Sequence, residues 1–589
     1  GPRPLRIRAH HQPRSPPRLH SPVQTAIGLL SNLLAVIPVQ DKLLLNRDIR
    51  NYCKSVWRNA SLPNYNLCGQ LNENYRSETC LDITIPDSHL RGYELWTSDG
   101  LRPKIIKADG EGLANTDFVL YVKAANTPKC RLEASVIAYS ASCQLDQNGR
   151  PLAGTVTFCL SHLSPTNFNH NKIVLAAVHE LFHTLGFSKD LYSKWLDCST
   201  APSLGVNCSS RPAVTNTDEV NQVRIYTQAV VRAVQRHQGV NSAETGGGLE
   251  NKDSAGVPSS HWEARYLQGS IMAATLGEPN LTLIDQVTLA AMEDTGWYRV
   301  NHSRSQTLVW GRGLGVNFGQ TTNCGNNSEY FCNGNGFGCH YLHYNKGQCR
   351  TDAYLEGCRV YKPLEDGSQC WMEKNWRNVT VHGEIYGPDG RCFFSNLTRN
   401  TAAMSERVGA VSGFCYLHRC LGENTFEIKI QGSPWLRCEA GGHIRVSGFR
   451  GVVWCPDRRL CQNYQQPNLQ TSAPVSASPP TPPGVSAGAL LPSSLLVTVS
   501  FVPGETCPVF LDPKATEFTQ ILVRSWSNST GINRCHFEAL RVSEALEVRL
   551  KLTEGSGCSE MSAISAYDRL RSAAQSGRLS ATVTGKHCT

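Results

Sequence analysis

Hydrophobic positions along this chain change period several times, and each change predicts an element. From Pro22 to Asp41 the apolar residues Ile27, Leu30, Leu33, Leu34 and Ile37 keep a helix-compatible spacing, which predicts a long packed helix. Thr116–Val122 is a short apolar run and predicts a strand. Ala134–Ser140 and Gly154–Phe158 flank the turn-rich segment Asp146–Pro151, which contains Asn148-Gly149, and together predict a hairpin. Cys143 and Cys159 fall on its two arms and are candidates to staple it. Lys172–Leu185 predicts a second helix, closed by Gly186. A third is expected from about Asp218 to His237, with Val220, Val223, Val230 and Val234 on one side, and a fourth over Leu283–Asp294.

Past residue 310 the texture changes. Half of the 24 cysteines fall between Cys324 and Cys461, among many glycines and few periodic runs, which reads as a disulfide-knit module. Gln466–Pro492 is rich in Pro, Ser, Ala and Thr and reads as a linker. The tail regains a rhythm. Strands at Ser494–Val502, Cys535–Val542, Leu546–Leu552 and Leu579–Thr584 alternate with helices at Asp512–Trp526 and Glu560–Ala574, a βαββαβ order that suggests a small ferredoxin-like domain. The expected class is α+β. The expected divisions are a basic flexible arm (1–22), a subdomain carrying the second helix (23–190), an insertion-bearing subdomain (191–310), the Cys-rich module (311–465), the linker (466–493) and the tail domain (494–589).

Composition narrows the compartment. An even cysteine count without paired CxxC knuckles indicates an extracellular disulfide framework. Eight Asn-x-Ser/Thr sequons agree with it: Asn59, Asn207, Asn280, Asn301, Asn326, Asn378, Asn396 and Asn528. No run of apolar residues is long enough to cross a bilayer. The chain opens at Gly1 with no apolar signal segment, so a removed export signal is expected. The formal charge of +9 invites a nucleic-acid reading, but the Arg cluster near the start lies among Pro and His without interleaved aromatics. No nucleic-acid motif accompanies it.

The segment Val178-His179-Glu180-Leu181-Phe182-His183 carries the chemistry. Two histidines four apart share one helical face, so both imidazoles can reach a single ion. Glu180 follows the first of them and can take a proton from an attacking water that a zinc ion would acidify. The preceding apolar run Ile173–Val178 buries that helix. A packed histidine pair is the bland alternative. A catalytic zinc needs a third protein ligand and one open position. In the compact form of the motif a histidine follows three residues after the glycine, but position 189 is Lys, which cannot ligate as an ammonium. The best candidate is His261, in Ser260-His261-Trp262-Glu263, followed eleven residues later by Met272. Alone, each would be an ordinary core residue; their joint arrangement is what counts.

His-Glu-x-x-His-x-x-Gly-Phe, a long insertion, Ser-His-Trp-Glu and then a methionine turn resemble the leishmanolysin family of metzincin peptidases. Asn115–Phe118, Leu249-Glu250-Asn251, Glu293–Tyr298 and Trp310-Gly311 add to the resemblance, which spans roughly residues 23–465. It implies His179, His183 and His261 as zinc ligands, Glu180 as general base, Gly186 as the helix-ending turn and Met272 as the Met-turn. It also implies a metzincin-type catalytic domain, one catalytic Zn2+ and a protein or peptide substrate bound in extended form on a sheet edge. The strand ending near Cys159 is the expected edge, and the insertion between Leu191 and Ser260 is expected near the cleft. The stretches 89–93, 338–343 and 432–435 and the tail resemble vertebrate members of the family. That implies a type I membrane protein whose span lies beyond Thr589, and a role in left-right axis formation. Near the motifs, His162, His170 and Tyr266 are read as structural. The competing reading is a catalytically silent peptidase fold acting in cell-surface adhesion; the intact Glu180 and three histidines count against it. The oligomeric state is not legible in the sequence.

Overall fold

A computed structural model describes residues 1–461 apart from 14, 165, 167, 202–203, 206, 242–244, 253–255, 326–329, 365–366, 377–379, 401–409, 423–424 and 457; beyond 461 it describes 494–500, 526–527, 537–542, 547–553, 569–570, 581–583 and 586–588. The chain forms two compact units, Gly1–Leu469 and Gln470–Thr589.

At the centre of the first unit lies a four-stranded sheet in the order Ala138–Leu145, Pro151–Cys159, Phe118–Ala125, Ile7–His11. The last three run parallel, and Ala138–Leu145 is antiparallel at one edge. Phe118, Leu120 and Val122 project into the main core, while Val119 and Tyr121 pack on the other face against Leu43, Leu45, Ile83 and Ile85. A strand covered on both faces needs a continuous apolar run, as this one has. Helices His20–Leu33 and His170–Leu185 add Val23, Ala26, Leu30, Ile173, Ala177, Leu181 and Phe182 to the main core.

Several expectations are corrected. Residues 1–22 are not a flexible arm: Ile7–His11 pairs with Phe118–Val122, whose outer edge would otherwise lack partners. Arg3 and Arg6 form ion pairs with the buried Asp117, whose carboxylate also accepts from the Val39 N–H. The first helix stops at Leu33, and Leu34–Val36 becomes a strand. The third helix covers only Gln228–Gln238. Before it, Asp218 accepts from the backbone N–H groups of Val220 and Gln222 and closes a turn, so Val223–Ile225 is a strand and Val220 is exposed.

The hairpin forms, but its two cysteines do not pair. Cys143 sits at a bulge opposite Gly154 and Ala153, five or six residues up the strand from Cys159, roughly 17–20 Å at strand rise. Cys143 bonds Cys80, and Cys159 bonds Cys130. Past residue 310 a six-stranded antiparallel-paired sheet carries the Cys-rich module, and its twelve cysteines form six disulfides. No break falls at 310: Trp310 packs with Ala264, Tyr330, Phe331 and Tyr341 in one cluster. Arg265 donates to the Gly319 carbonyl and pairs with Glu356.

In the second unit, strands Ser494–Ser500, Glu547–Thr553 and Phe537–Val542 form an antiparallel sheet in that order. Ala581–Val583 pairs with Lys586–Cys588. The linker and nearly all of the two expected tail helices lie outside the described residues, as do Asn326, Asn378 and Asn528. Asn59, Asn207, Asn280 and Asn301 are exposed; Asn396 is half-buried, its side-chain oxygen accepting from the Val452 N–H. Among the described residues no helix is long and apolar enough to cross a membrane.

Candidate metal centre

The site grows from the helix His170–Leu185. Asn169 caps it by accepting from the Lys172 N–H at 3.1 Å. Its buried face carries Ile173, Ala177, Leu181 and Phe182, so the turn bearing His179, Glu180 and His183 is held rigidly against the sheet. Gly186 ends the helix, with its N–H directed at the Phe182 and His183 carbonyls. Its φ of +157° is one that side-chain-bearing residues rarely adopt, and a Cβ there would press within 3.0 Å of Thr295 Cγ2 and 3.3 Å of the Trp297 ring, so glycine suits the turn. The turn brings the Phe187 carbonyl within 2.8 Å of His183 Nδ1.

The third histidine arrives on a separate segment. Trp262, fully buried, packs on Phe187 with ring centroids 4.6 Å apart, and its indole N–H donates to Thr288 Oγ1 at 2.9 Å. Its backbone N–H donates to the Met272 carbonyl, while the Glu250 N–H donates to the His261 carbonyl. The Lys189 N–H donates to Ser260 Oγ at 3.0 Å. The loop that carries Lys189 where the compact motif has histidine is thus tied to the residue preceding His261. Met272 is fully buried in the core, and the adjacent Ile271 carbonyl accepts from His179 Nδ1 at 2.6 Å.

The three Nε2 atoms converge, 3.0 Å apart for His179 and His183, and 3.2 Å for each of the two with His261. With Nδ1 of His179 and His183 donating to carbonyls, their Nε2 atoms carry lone pairs aimed at one another, an arrangement that calls for a cation between them. A tetrahedral ion about 2.05 Å from each nitrogen would space them about 3.3 Å apart, close to what is observed. Burial, and after it the nearness of His179, pushes His183 down to about 3. Burial likewise lowers His261 well below its ordinary value, with the nearness of His183 and His179 adding to the effect. Neutral imidazoles are the form a metal ion needs. This is the one such cluster of His, Cys, Asp and Glu among the described residues.

Glu180 is 7% exposed, and burial raises its carboxyl above the usual range. Ser140 Oγ lies 2.6 Å from Glu180 Oε2. Sequence reasoning missed Ser140, because only the strand register brings it to the helix. The strand ending near Cys159 was expected at a sheet edge and is not one. It is paired on both sides; the edge strands of the sheet are Ile7–His11 and Ala138–Leu145, the latter carrying Ser140 next to Glu180. His162 contacts the Ala134 carbonyl, His170 is exposed at the start of the helix, and Tyr266 packs under the Arg224 and Arg265 guanidiniums. A groove of about 1340 Å³ lined by Arg211, Tyr226, Arg232 and Glu293 includes none of the three converging histidines.

Fold and site together define a metallopeptidase. The leishmanolysin family model matches residues 103–467, and the chain belongs to that family. It is 41% identical over 578 residues to the ciliated left-right organizer metallopeptidase of Mus musculus, covering 95% of this chain and 80% of that one. Against the Danio rerio protein of the same name it is 49% identical over 454 residues, covering 76% and 71%. A leishmanolysin-like peptidase of Drosophila melanogaster is 31% identical over 268 residues, 41% of this chain and 39% of that one.

Proposed function

We propose that this protein is a zinc-dependent endopeptidase of extracellular or cell-surface proteins, with His179, His183 and His261 holding the ion and Glu180 as general base. The observation that carries this reading is the convergence of three Nε2 atoms within 3.2 Å beside a buried carboxylate. When bound, zinc supplies Lewis-acid polarisation of the scissile carbonyl and acidifies the attacking water. Glu180 takes the proton from that water and returns it to the leaving amine. Ser140 donates to the Glu180 carboxylate and fixes its orientation. The free backbone groups of Ala138–Leu145 align an extended substrate by main-chain hydrogen bonds. Met272 gives the site an apolar floor.

Ten disulfides among the described residues and the exposed sequons support passage through the secretory pathway and glycosylation. A role in left-right axis determination is extended from the relatives whose name refers to the left-right organizer. The βαββαβ reading of the tail has support in its sheet order, which places the third strand between the first and second. A silent scaffold has no observation in its favour.

The test is cleavage of a mixed, unstructured peptide library by the purified, zinc-loaded chain beside Glu180→Ala. Cleavage by the parent, falling at least 100-fold in the variant, is expected. Equal cleavage by both would remove Glu180 from the mechanism. Absence of cleavage by either, with zinc bound, would favour the scaffold.

A further inference from the structure

The free edge strand Ala138–Leu145 carries no charged side chain. One cation nevertheless stands over it. The short helix Pro128–Leu132 opens on Thr127, whose hydroxyl accepts from the Cys130 N–H at 3.3 Å and from the Tyr139 hydroxyl at 3.1 Å. Cys130 is bonded to Cys159, and the Cys159 N–H donates to the Ile137 carbonyl at the start of the edge strand. These ties clamp the helix to the end of the hairpin. From this helix the Lys129 ammonium lies over the Tyr139 ring, 5.3 Å from its centroid. Tyr139 immediately precedes Ser140, the residue that contacts the Glu180 carboxylate.

Lys129 is exposed and has no carboxylate partner among the described residues. Its neighbour Arg131 is turned onto the Asn126 carbonyl. An ammonium fixed beside the strand that would carry substrate acts on substrate charge.

We propose that Lys129 is a specificity-determining residue, selecting peptides with an acidic side chain within about three residues of the scissile bond. This rests on the peptidase reading above. A partly exposed ion pair is worth up to about 1 kcal/mol, so enrichment of Asp and Glu near the cut is expected to be three- to fivefold, with Lys and Arg depleted. Exposed pairs are screened, so the preference shrinks between 50 mM and 0.5 M salt.

The experiment digests one mixed peptide library with the zinc-loaded parent, Lys129→Glu and Lys129→Arg, and reads residue frequencies around each cut by mass spectrometry. The expected result is acidic enrichment by the parent and Lys129→Arg, and inversion toward basic residues by Lys129→Glu. Thermal melting of each variant checks that the clamp, and not the charge, holds the fold. Identical charge profiles for parent and Lys129→Glu overturn the proposal while leaving the peptidase reading intact. Failure of the parent to cleave any peptide defeats both.

Discussion

Replacing Asp285 with alanine isolates what holds the turn beneath the histidines. Asp285 is fully buried and caps the helix Gln286–Asp294, accepting from the Val287 and Thr288 N–H groups at 2.9 Å each. The same carboxylate accepts from Ser270 Oγ at 2.5 Å and Thr288 Oγ1 at 2.8 Å. Ser270 Oγ in turn accepts from the Met272 N–H, and between them the Ile271 carbonyl holds His179. One carboxylate therefore ties a helix start to the orientation of an imidazole. Losing an N-cap costs about 0.5–2 kcal/mol. Ser270 and Thr288 lie 3.2 Å apart and one can donate to the other, so the loss leaves about one buried hydroxyl without an acceptor and adds about 1–3 kcal/mol. Together about 2–4 kcal/mol is expected. On the proposed role of His179 as a zinc ligand, removing its support is further expected to weaken zinc binding about 10- to 100-fold. The assay is urea unfolding of the metal-free protein by tryptophan fluorescence, with zinc affinity measured by chelator competition. Asp285→Asn, which keeps one acceptor oxygen, should fall between parent and alanine. A loss below about 1 kcal/mol with unchanged zinc affinity would refute the argument that this carboxylate holds the turn.

Trp262→Ala removes a fully buried ring and its bond to Thr288, and should cost about 3–5 kcal/mol with a drop in bound zinc; unchanged zinc content would detach His261 from Trp262 packing. Burial, with the Glu263 charge adding to it, pushes the Glu250 carboxyl up to about 8. A raised carboxyl is protonated when folded and ionised when unfolded between about pH 4.5 and 8, so its contribution to stability is lost as pH rises through that window. Glu250→Gln should therefore gain stability relative to the parent from pH 5 to 8, by about 2–4 kcal/mol at the upper end. Parallel melting curves for the two across that range would contradict the shift.

Local chemistry made part of this protein legible in one dimension. The His179, Glu180 and His183 cluster depends on a four-residue spacing along a helix, and the apolar run ahead of it already marks that helix as buried. The hairpin around Asn148-Gly149 is likewise a short-range signal, and so is the cysteine density that marks the module after 310. His261 and Met272 were legible only as a spacing that resembles a family. What brings His261 within 3.2 Å of His179 is the Trp262–Phe187 contact and the hydrogen bond from the Trp262 N–H to the Met272 carbonyl.

Tertiary structure alone decided the rest. Whether residues 1–22 wander or add a strand depends on the unpaired edge of Phe118–Val122 and on the buried charge of Asp117. Val223 and Ile225 suit helix or strand equally well until the Asp218 turn sets their period. Cysteine partners follow from which strand ends meet in space, so Cys143 passes over Cys159, on the same hairpin, for Cys80. Ser140 reaches Glu180 through a register that no local pattern encodes. Helical periodicity and turn chemistry act over a few residues, and for that reason a sequence displays them. Edges, registers and disulfide partners are settled by contacts between distant segments, whose cost and reward appear only once the core has closed.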